Sequence, residues 1–136
     1  MRITLLAASA ALAAGILACA ADSTSPIGQL PTGIWGGQGA QLTATAANVS
    51  IQYNCASGSI TVAPEVGADD QFSWAGTFTR AFPAPGTPPD SQHPATFHGS
   101  ANRTQLMLAV TVPDLAMESE PVTLNLGQQA SLALCP

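Results

Sequence analysis

From residue 33 onward, apolar and polar residues alternate with a period of two, in short segments that turn residues separate. In one such segment Phe72, Trp74 and Phe78 alternate with polar or small residues. The segments 48–55 and 104–112 repeat the pattern. An extended strand places alternate side chains on opposite faces, so each segment has one apolar and one polar face. The pattern predicts an all-β chain of half-buried strands, with no helix of two turns after the N-terminal leader.

We predict about eight strands. They cover residues 33–46, 48–55, 58–63, 71–81, 94–101, 104–112, 120–127 and 130–135. The connections are mostly hairpin-length and contain Gly or Asn, so consecutive strands are expected to form an antiparallel meander. Eight such strands form a small closed or partly open β-barrel, or alternatively a β-sandwich. The barrel is favoured because Cys135 is the penultimate residue, which leaves no room for the final strand of an immunoglobulin-like sandwich.

The N-terminal residues are typical of an export signal. Arg2 precedes an apolar run that continues to Ala14, which is the arrangement of a secretory signal peptide. Ile16 to Cys19 then resembles the bacterial lipobox, and this resemblance implies lipidation of Cys19. We therefore expect a lipoprotein signal peptide at 1–18, a lipid-anchored flexible tether at 19–32 and a barrel domain at 33–136. The expected location is the bacterial cell envelope, at the outer membrane or cell surface; cleavage after Ala20 would instead give a soluble secreted or periplasmic protein.

The charge composition narrows the range of partners. Charged residues make up 8% of the chain, against about 25% in a typical soluble domain. The sequence has no lysine, and its formal net charge is −5. Nucleic acid is therefore not an expected partner, because its phosphates require a basic surface.

Cys55 and Cys135 form an even pair in an exported chain once Cys19 is assigned to lipidation. Their number and context predict one disulfide, with two separately buried thiols as the alternative. Neither has a second Cys or His at metal-ligand spacing. His93 and His98 are five residues apart, so they point to opposite faces of a strand. We expect no metal site and no cofactor.

Candidate binding residues concentrate around segment 82–93, which is rich in proline. Because proline has no backbone N–H to donate to a neighbouring strand, we expect this segment to be a stiff loop. No Gly-x-Ser-x-Gly nucleophile motif and no positioned Ser–His pair is present, so no catalytic residue is expected. The candidate residues for binding are Trp35, Arg80, Pro88, Asp90 and His93.

Two groups of residues carry a resemblance to known proteins. Gly33-Ile34-Trp35 at the start of the first strand resembles lipocalin and avidin-like proteins, in which the tryptophan plugs one barrel end. The longer pattern, Gly33-x-Trp35-Gly36-Gly37 followed by Cys55-Ala56-x-Gly58-x-Ile60, resembles a group of uncharacterised bacterial secreted proteins and lipoproteins. The resemblance implies a small barrel and an exported location, and it implies no catalytic residues.

These observations predict a non-enzymatic extracytoplasmic lipoprotein whose lipid on Cys19 attaches it to a membrane. A barrel mouth rimmed by residues 82–93 is expected to bind a small apolar ligand or an envelope protein. Two alternatives stay open. One is an inhibitor of a periplasmic protease or lysozyme, and the other is a structural envelope protein whose barrel is packed solid.

Overall fold

The computed structural model describes residues 27–81 and 91–135. Nine strands and one 3₁₀ turn, Pro113–Leu115, form in this part of the chain. The strands are β1 (Gly33–Gly36), β2 (Ala40–Ala44), β3 (Val49–Tyr53), β4 (Ala56–Ile60), β5 (Gln71–Arg80), β6 (His93–Ala101), β7 (Gln105–Val112), β8 (Met117–Glu118) and β9 (Val122–Leu126). No helix in the described ranges is long and apolar enough to cross a lipid bilayer.

The strands form a closed antiparallel barrel. Each strand from β2 to β7 pairs with the strand before it, and β9 pairs with both β7 and β1, which closes the ring. The barrel therefore has eight strands, and β8 is an additional short strand on the end of β7. The prediction of an all-β antiparallel barrel is confirmed, in its closed form, and the sandwich alternative is wrong.

The barrel closes because the apolar face of every strand turns inward. Trp74 lies opposite Phe97, and Phe97 lies opposite Val110, so three neighbouring strands contribute large side chains at one level. The interior is filled by side chains, which keeps water out of the sheet's inner face. The largest fully buried residues are Trp35, Phe97, Leu30, Leu42, Ile51, Ile60, Leu106, Leu108 and Leu124.

The single strand expected at 33–46 is wrong. The chain turns at 37–39, and β1 pairs back on β2 with Trp35 opposite Leu42. Gly39 has φ +83°, a left-handed conformation that glycine adopts without strain. The N–H of Gly37 donates to the Ala40 carbonyl at 3.1 Å and closes the hairpin. The buried positions change from odd-numbered Trp35 to even-numbered Leu42 across the turn, and the prediction of one strand did not use the glycines at 36, 37 and 39 as turn signals.

The strand expected at 130–135 is also wrong. Residues 127–135, here called the C-terminal strap, leave β9 and cross the outer face of β1. The strap passes so close to Gly36 that a Cβ there would lie 2.2 Å from the Gln128 carbonyl oxygen. The Ser131 N–H donates to the Gly37 carbonyl at 3.0 Å, and its carbonyl accepts from the Gly39 N–H at 2.9 Å. These bonds hold an irregular segment outside the ladder.

Residues 27–32 were expected to belong to a flexible tether, but they pack on the barrel. Leu30 is 1% exposed, and its N–H donates to the Pro64 carbonyl at 2.9 Å. The Val66 N–H donates to the Gly28 carbonyl at 2.9 Å. The burial of Leu30 and the hydrogen bonds to the segment after β4 hold residues 27–32 against the barrel. Residues 19–26 lie outside the described residues.

The two ends of the barrel differ in what covers them. We call the end where residues 27–32 enter β1 the tether end, and the opposite end the mouth. The indoles of Trp35 and Trp74 donate to the carbonyls of Pro31, at 3.1 Å, and Glu65, at 2.8 Å, so both mark the tether end. The β1–β2 hairpin, the end of β3, the end of β5 and the start of β6 meet at the mouth.

Candidate binding site at the barrel mouth

A cavity of about 320 Å³ opens at the mouth. Its walls come from residues at or near the ends of β3, β5 and β7, from the start of β4, and from β8. Most of the side chains around it are apolar or aromatic. Its lining residues are Gly39, Tyr53, Asn54, Cys55, Ala56, Phe78, Arg80, Val110, Met117 and Ser119.

Two aromatic rings form one wall of the cavity. The ring centroids of Tyr53 and Phe78 are 6.1 Å apart and the planes are inclined by 55°, a tilted contact that aromatic pairs favour. The Tyr53 hydroxyl is buried and has no hydrogen-bond partner among the described residues. Burial disfavours the phenolate, so it raises the pKa of Tyr53 well above its usual value.

The opposite wall is built by β7 and β8. Val112 pairs with Met117, and Met117 packs against the core with its side chain half-buried. Ser119 follows β8 and is hydrogen-bonded to Val110 through both its backbone and its hydroxyl. Methionine is flexible and adapts its shape to what it contacts.

Polar groups and the disulfide border the opening. Arg80 lies opposite Ala56 at the end of β5, is exposed, and supplies the positive charge of the lining. Cys55 and Cys135 form a disulfide that links residues 80 apart, with a Cα–Cα distance of 5.4 Å. This confirms the predicted pairing. The bond fixes the end of the C-terminal strap beside the cavity.

The structure brings only part of the predicted site together. Arg80 lines the cavity, and His93 lies opposite Phe78 at the same barrel end. Trp35 is 0% exposed at the tether end, so it belongs to the core and cannot contact a molecule at the mouth. Pro88 and Asp90 lie outside the described residues, although the strands they connect both end at the mouth.

His93 has an acidic neighbour that the sequence did not suggest. Its Nδ1 lies 3.6 Å from an Asp114 carboxylate oxygen, and its side chain is mostly buried. Asp114 belongs to the 3₁₀ turn after β7, which packs near the start of β6. His98 lies on the outer face, with Nε2 3.1 Å from the Thr111 hydroxyl. In the ranges 27–81 and 91–135, no three His, Cys, Asp or Glu side chains gather as a metal site would require.

Sequence reasoning missed most of the cavity's walls. Tyr53, Phe78 and Met117 line it; in the sequence Tyr53 and Phe78 read as ordinary core positions, and Met117 lies outside the predicted strands. The signal that could have found Tyr53 and Phe78 is their place near strand ends. An inward side chain close to the end of a barrel strand faces the opening. Met117 carried no such signal, since β8 was not predicted.

The fold and the cavity define a small closed eight-stranded antiparallel β-barrel with an apolar cavity at one end. In comparisons with known proteins, no family model, no curated protein and no solved structure matches the chain.

Proposed function

We propose that this chain is a non-enzymatic binding module of the bacterial cell envelope, anchored by lipid on Cys19, which takes a small apolar ligand at its mouth. The observation that carries the proposal is the 320 Å³ cavity with apolar and aromatic walls. Ligand pockets are concave and mostly apolar, with a few polar groups that orient the ligand. The mouth has this character.

The size of the cavity limits the ligand. At about 30 Å³ for a water-sized group, the space holds roughly ten non-hydrogen atoms. The described interior below it is filled, with Phe97 and Leu42 fully buried. The ligand therefore lies at the barrel's end and does not enter its axis, as a single ring system or a short acyl group would.

The direction of the chain agrees with a membrane-anchored module. Residues 27–32 enter the barrel at the tether end, opposite the mouth. An anchor on Cys19 would then leave the mouth directed away from the lipid surface. A ligand or a partner in the surrounding space could approach it without crossing the anchor.

The test of ligand binding is native mass spectrometry of the exported protein carrying Cys19→Ser, compared with its denatured mass. We expect a bound species of low mass that is lost on denaturation. Ala56→Leu adds a larger side chain to the cavity wall and should remove that species, whereas Ala133→Leu makes the same change on the exposed strap and should retain it. Absence of bound mass in the parent protein, together with no binding of 2-naphthol or naphthalene in titration, would contradict the proposal.

Anchoring needs its own measurement, because binding and location are separate claims. Membrane extraction followed by mass spectrometry should find acyl groups on Cys19. Cys19→Ser should move the protein to the soluble fraction while leaving binding unchanged. A soluble parent protein beginning after residue 20 would remove the anchor from the proposal and leave the binding module.

A second candidate function is inhibition of an envelope protease or lysozyme. One observation favours it: Leu134 is 96% exposed on a strap that the disulfide holds in place. An exposed apolar side chain on a constrained segment is suited to filling a partner's pocket. Inhibition of an envelope hydrolase that Leu134→Ser abolishes would support this function over ligand binding.

A further inference from the structure

The sheet is incomplete between β4 and β5. These strands pair from Ala56 opposite Arg80 to Ser59 opposite Thr77. Beyond that point β5 continues to Gln71, still paired with β6, but β4 ends at Ile60. Residues 61–66 form no backbone hydrogen bond with β5, and the chain returns to β5 at Gly67, whose N–H donates to the Gln71 carbonyl. The part of β5 between Gln71 and Thr77 therefore has a strand partner on one side only.

The direction of the backbone groups on this free edge follows from two hydrogen bonds. The Ala81 N–H donates to the Cys55 carbonyl, and the Gln71 carbonyl accepts from the Gly67 N–H. Alternate residues of a strand direct both backbone groups to the same side. Odd-numbered residues of β5 therefore face away from β6, and these include Ser73 and Ala75.

Neither of these two residues has a partner on that side among the described residues. Backbone hydrogen bonds join Gly67 to Gln71 but none joins segment 61–66 to Ser73 or Ala75. Both residues are exposed. Two N–H groups and two carbonyls thus stand at strand spacing on an open edge, which is the arrangement that accepts another strand.

A groove of about 530 Å³ runs along this edge. The Trp74 indole lies beneath it, held by its 2.8 Å hydrogen bond to the Glu65 carbonyl. Val62, which is 54% exposed, and Ala63 form the opposite wall. The groove has a hydrogen-bonding side and an apolar side, as an extended peptide requires.

We propose that this groove binds an extended peptide segment of a partner protein, which adds to β5 as an antiparallel strand at Ser73 and Ala75. Main-chain bonds to an open sheet edge supply affinity in this mode of recognition, and alternate side chains supply specificity. One side chain of the peptide faces Val62 and is apolar. A neighbouring side chain is basic, because the exposed carboxylates nearby are Glu65 and Asp69 and the chain has a net charge of −5.

A second copy of this chain does not fit the groove. The free edge is bounded by the β4 pairing at Thr77 and by the Gly67–Gln71 bond, so only a narrow segment between them is open. The matching edge of another barrel lies in an equally narrow groove. Two such edges cannot approach to pairing distance, whereas a flexible segment can enter.

Amide hydrogen exchange of the exported Cys19→Ser protein tests the edge first. We expect Ser73 and Ala75 to exchange at least about tenfold faster than Trp74, whose N–H faces β6. Slow exchange of both in the free protein would show that another part of the chain already covers the edge, and this would overturn the proposal. The measurement does not depend on the mouth, so it is independent of the proposed function.

The binding test uses a capped Val-Thr-Lys-Thr-Val peptide and its N-methylated form. The unmodified peptide should slow exchange at Ser73 and Ala75 and shift their amide resonances. N-methylation removes the donors and should weaken binding by about tenfold or more. A peptide with Glu in place of Lys should bind more weakly. Equal binding of all three peptides would refute strand addition. The absence of resonance shifts at the Ser73 and Ala75 amides with the unmodified peptide would refute it as well.

Ala75→Pro and Ala75→Val provide a matched pair of variants. Proline removes the N–H that faces the groove and leaves the bonds to β6 in place, so it should abolish peptide binding. Valine retains the N–H and should retain binding. If the proline variant does not fold, the N-methylated peptide gives the same comparison on the parent protein. Binding that survives in a folded proline variant would overturn the proposal.

Discussion

Ser119 and Val110 exchange two hydrogen bonds: the Ser119 N–H donates to the Val110 carbonyl at 2.9 Å, and the Val110 N–H donates to the Ser119 hydroxyl at 2.9 Å. The pairs Thr111–Glu118 and Leu108–Val122 flank this contact. Three residues, 119–121, therefore face two residues of β7, which is a β-bulge. The serine hydroxyl replaces the carbonyl that a regular strand would supply.

Replacing Ser119 by Ala should destabilise the barrel. Val110 is 1% exposed, so its N–H would lose its partner in a dry environment. A buried donor without a partner costs about 1 to 3 kcal/mol. Urea unfolding measures the loss, and Ser119→Thr, which retains a hydroxyl, is the control. An unchanged free energy of unfolding for Ser119→Ala would mean that water replaces the hydroxyl.

The stability of the protein should fall above about pH 10 because of Tyr53, the single tyrosine of the chain. Its pKa is raised by burial, while in the unfolded chain it is about 10. The unfolded state therefore loses its proton first, and the folded state is disfavoured as pH rises from about 10 toward the folded pKa. Absorbance of the phenolate and urea unfolding at several pH values measure both effects.

Tyr53→Phe is the control for that titration. It removes the ionisable group, so the decline attributed to Tyr53 should disappear. Because the hydroxyl has no partner among the described residues, its removal should change stability near neutral pH by less than about 1 kcal/mol. A larger loss would show that the hydroxyl is hydrogen-bonded in solution.

Removing the disulfide should destabilise the fold without dismantling the barrel. The loop between Cys55 and Cys135 spans 80 residues, for which the chain-entropy model gives about 4 to 5 kcal/mol. The Cys55→Ser, Cys135→Ser double variant should unfold at lower urea concentration. Its strap should be cleaved by protease while β1–β9 remain protected. Protection of the strap equal to that of the parent would show that its backbone bonds suffice.

Gly36→Ala should detach the strap even with both cysteines present. The added Cβ would lie 2.2 Å from the Gln128 carbonyl oxygen and 2.7 Å from the Ala130 nitrogen, so backbone must move. We expect a loss of several kcal/mol and faster exchange of the Ser131 amide. Gly127→Asn is the matched control, because asparagine tolerates φ +80° and nothing lies near its Cβ.

The period-two pattern predicted the inward faces correctly. Phe72, Trp74 and Phe78 are buried together, as are Leu106 and Leu108. The disulfide followed from the number of cysteines. The hairpin at 37–39 was missed, although the glycines at 36, 37 and 39 signal a turn and the buried positions change there from odd to even numbers. The strap could not be predicted, because its alternating leucines resemble a strand although its partners are the β1–β2 turn, Gln41 and Asn54.

The sequence by itself determined the element type, the buried face of most strands and the cysteine pair, because these depend on local periodicity and residue count. Only the tertiary structure decided where the mouth cavity and the open edge of β5 lie. The mouth cavity is lined by residues of β3, β4, β5, β7 and β8, which are far apart in sequence, and the open edge of β5 exists because β4 stops at Ile60. Both depend on the relative lengths and register of paired strands, which are set by long-range pairing and packing.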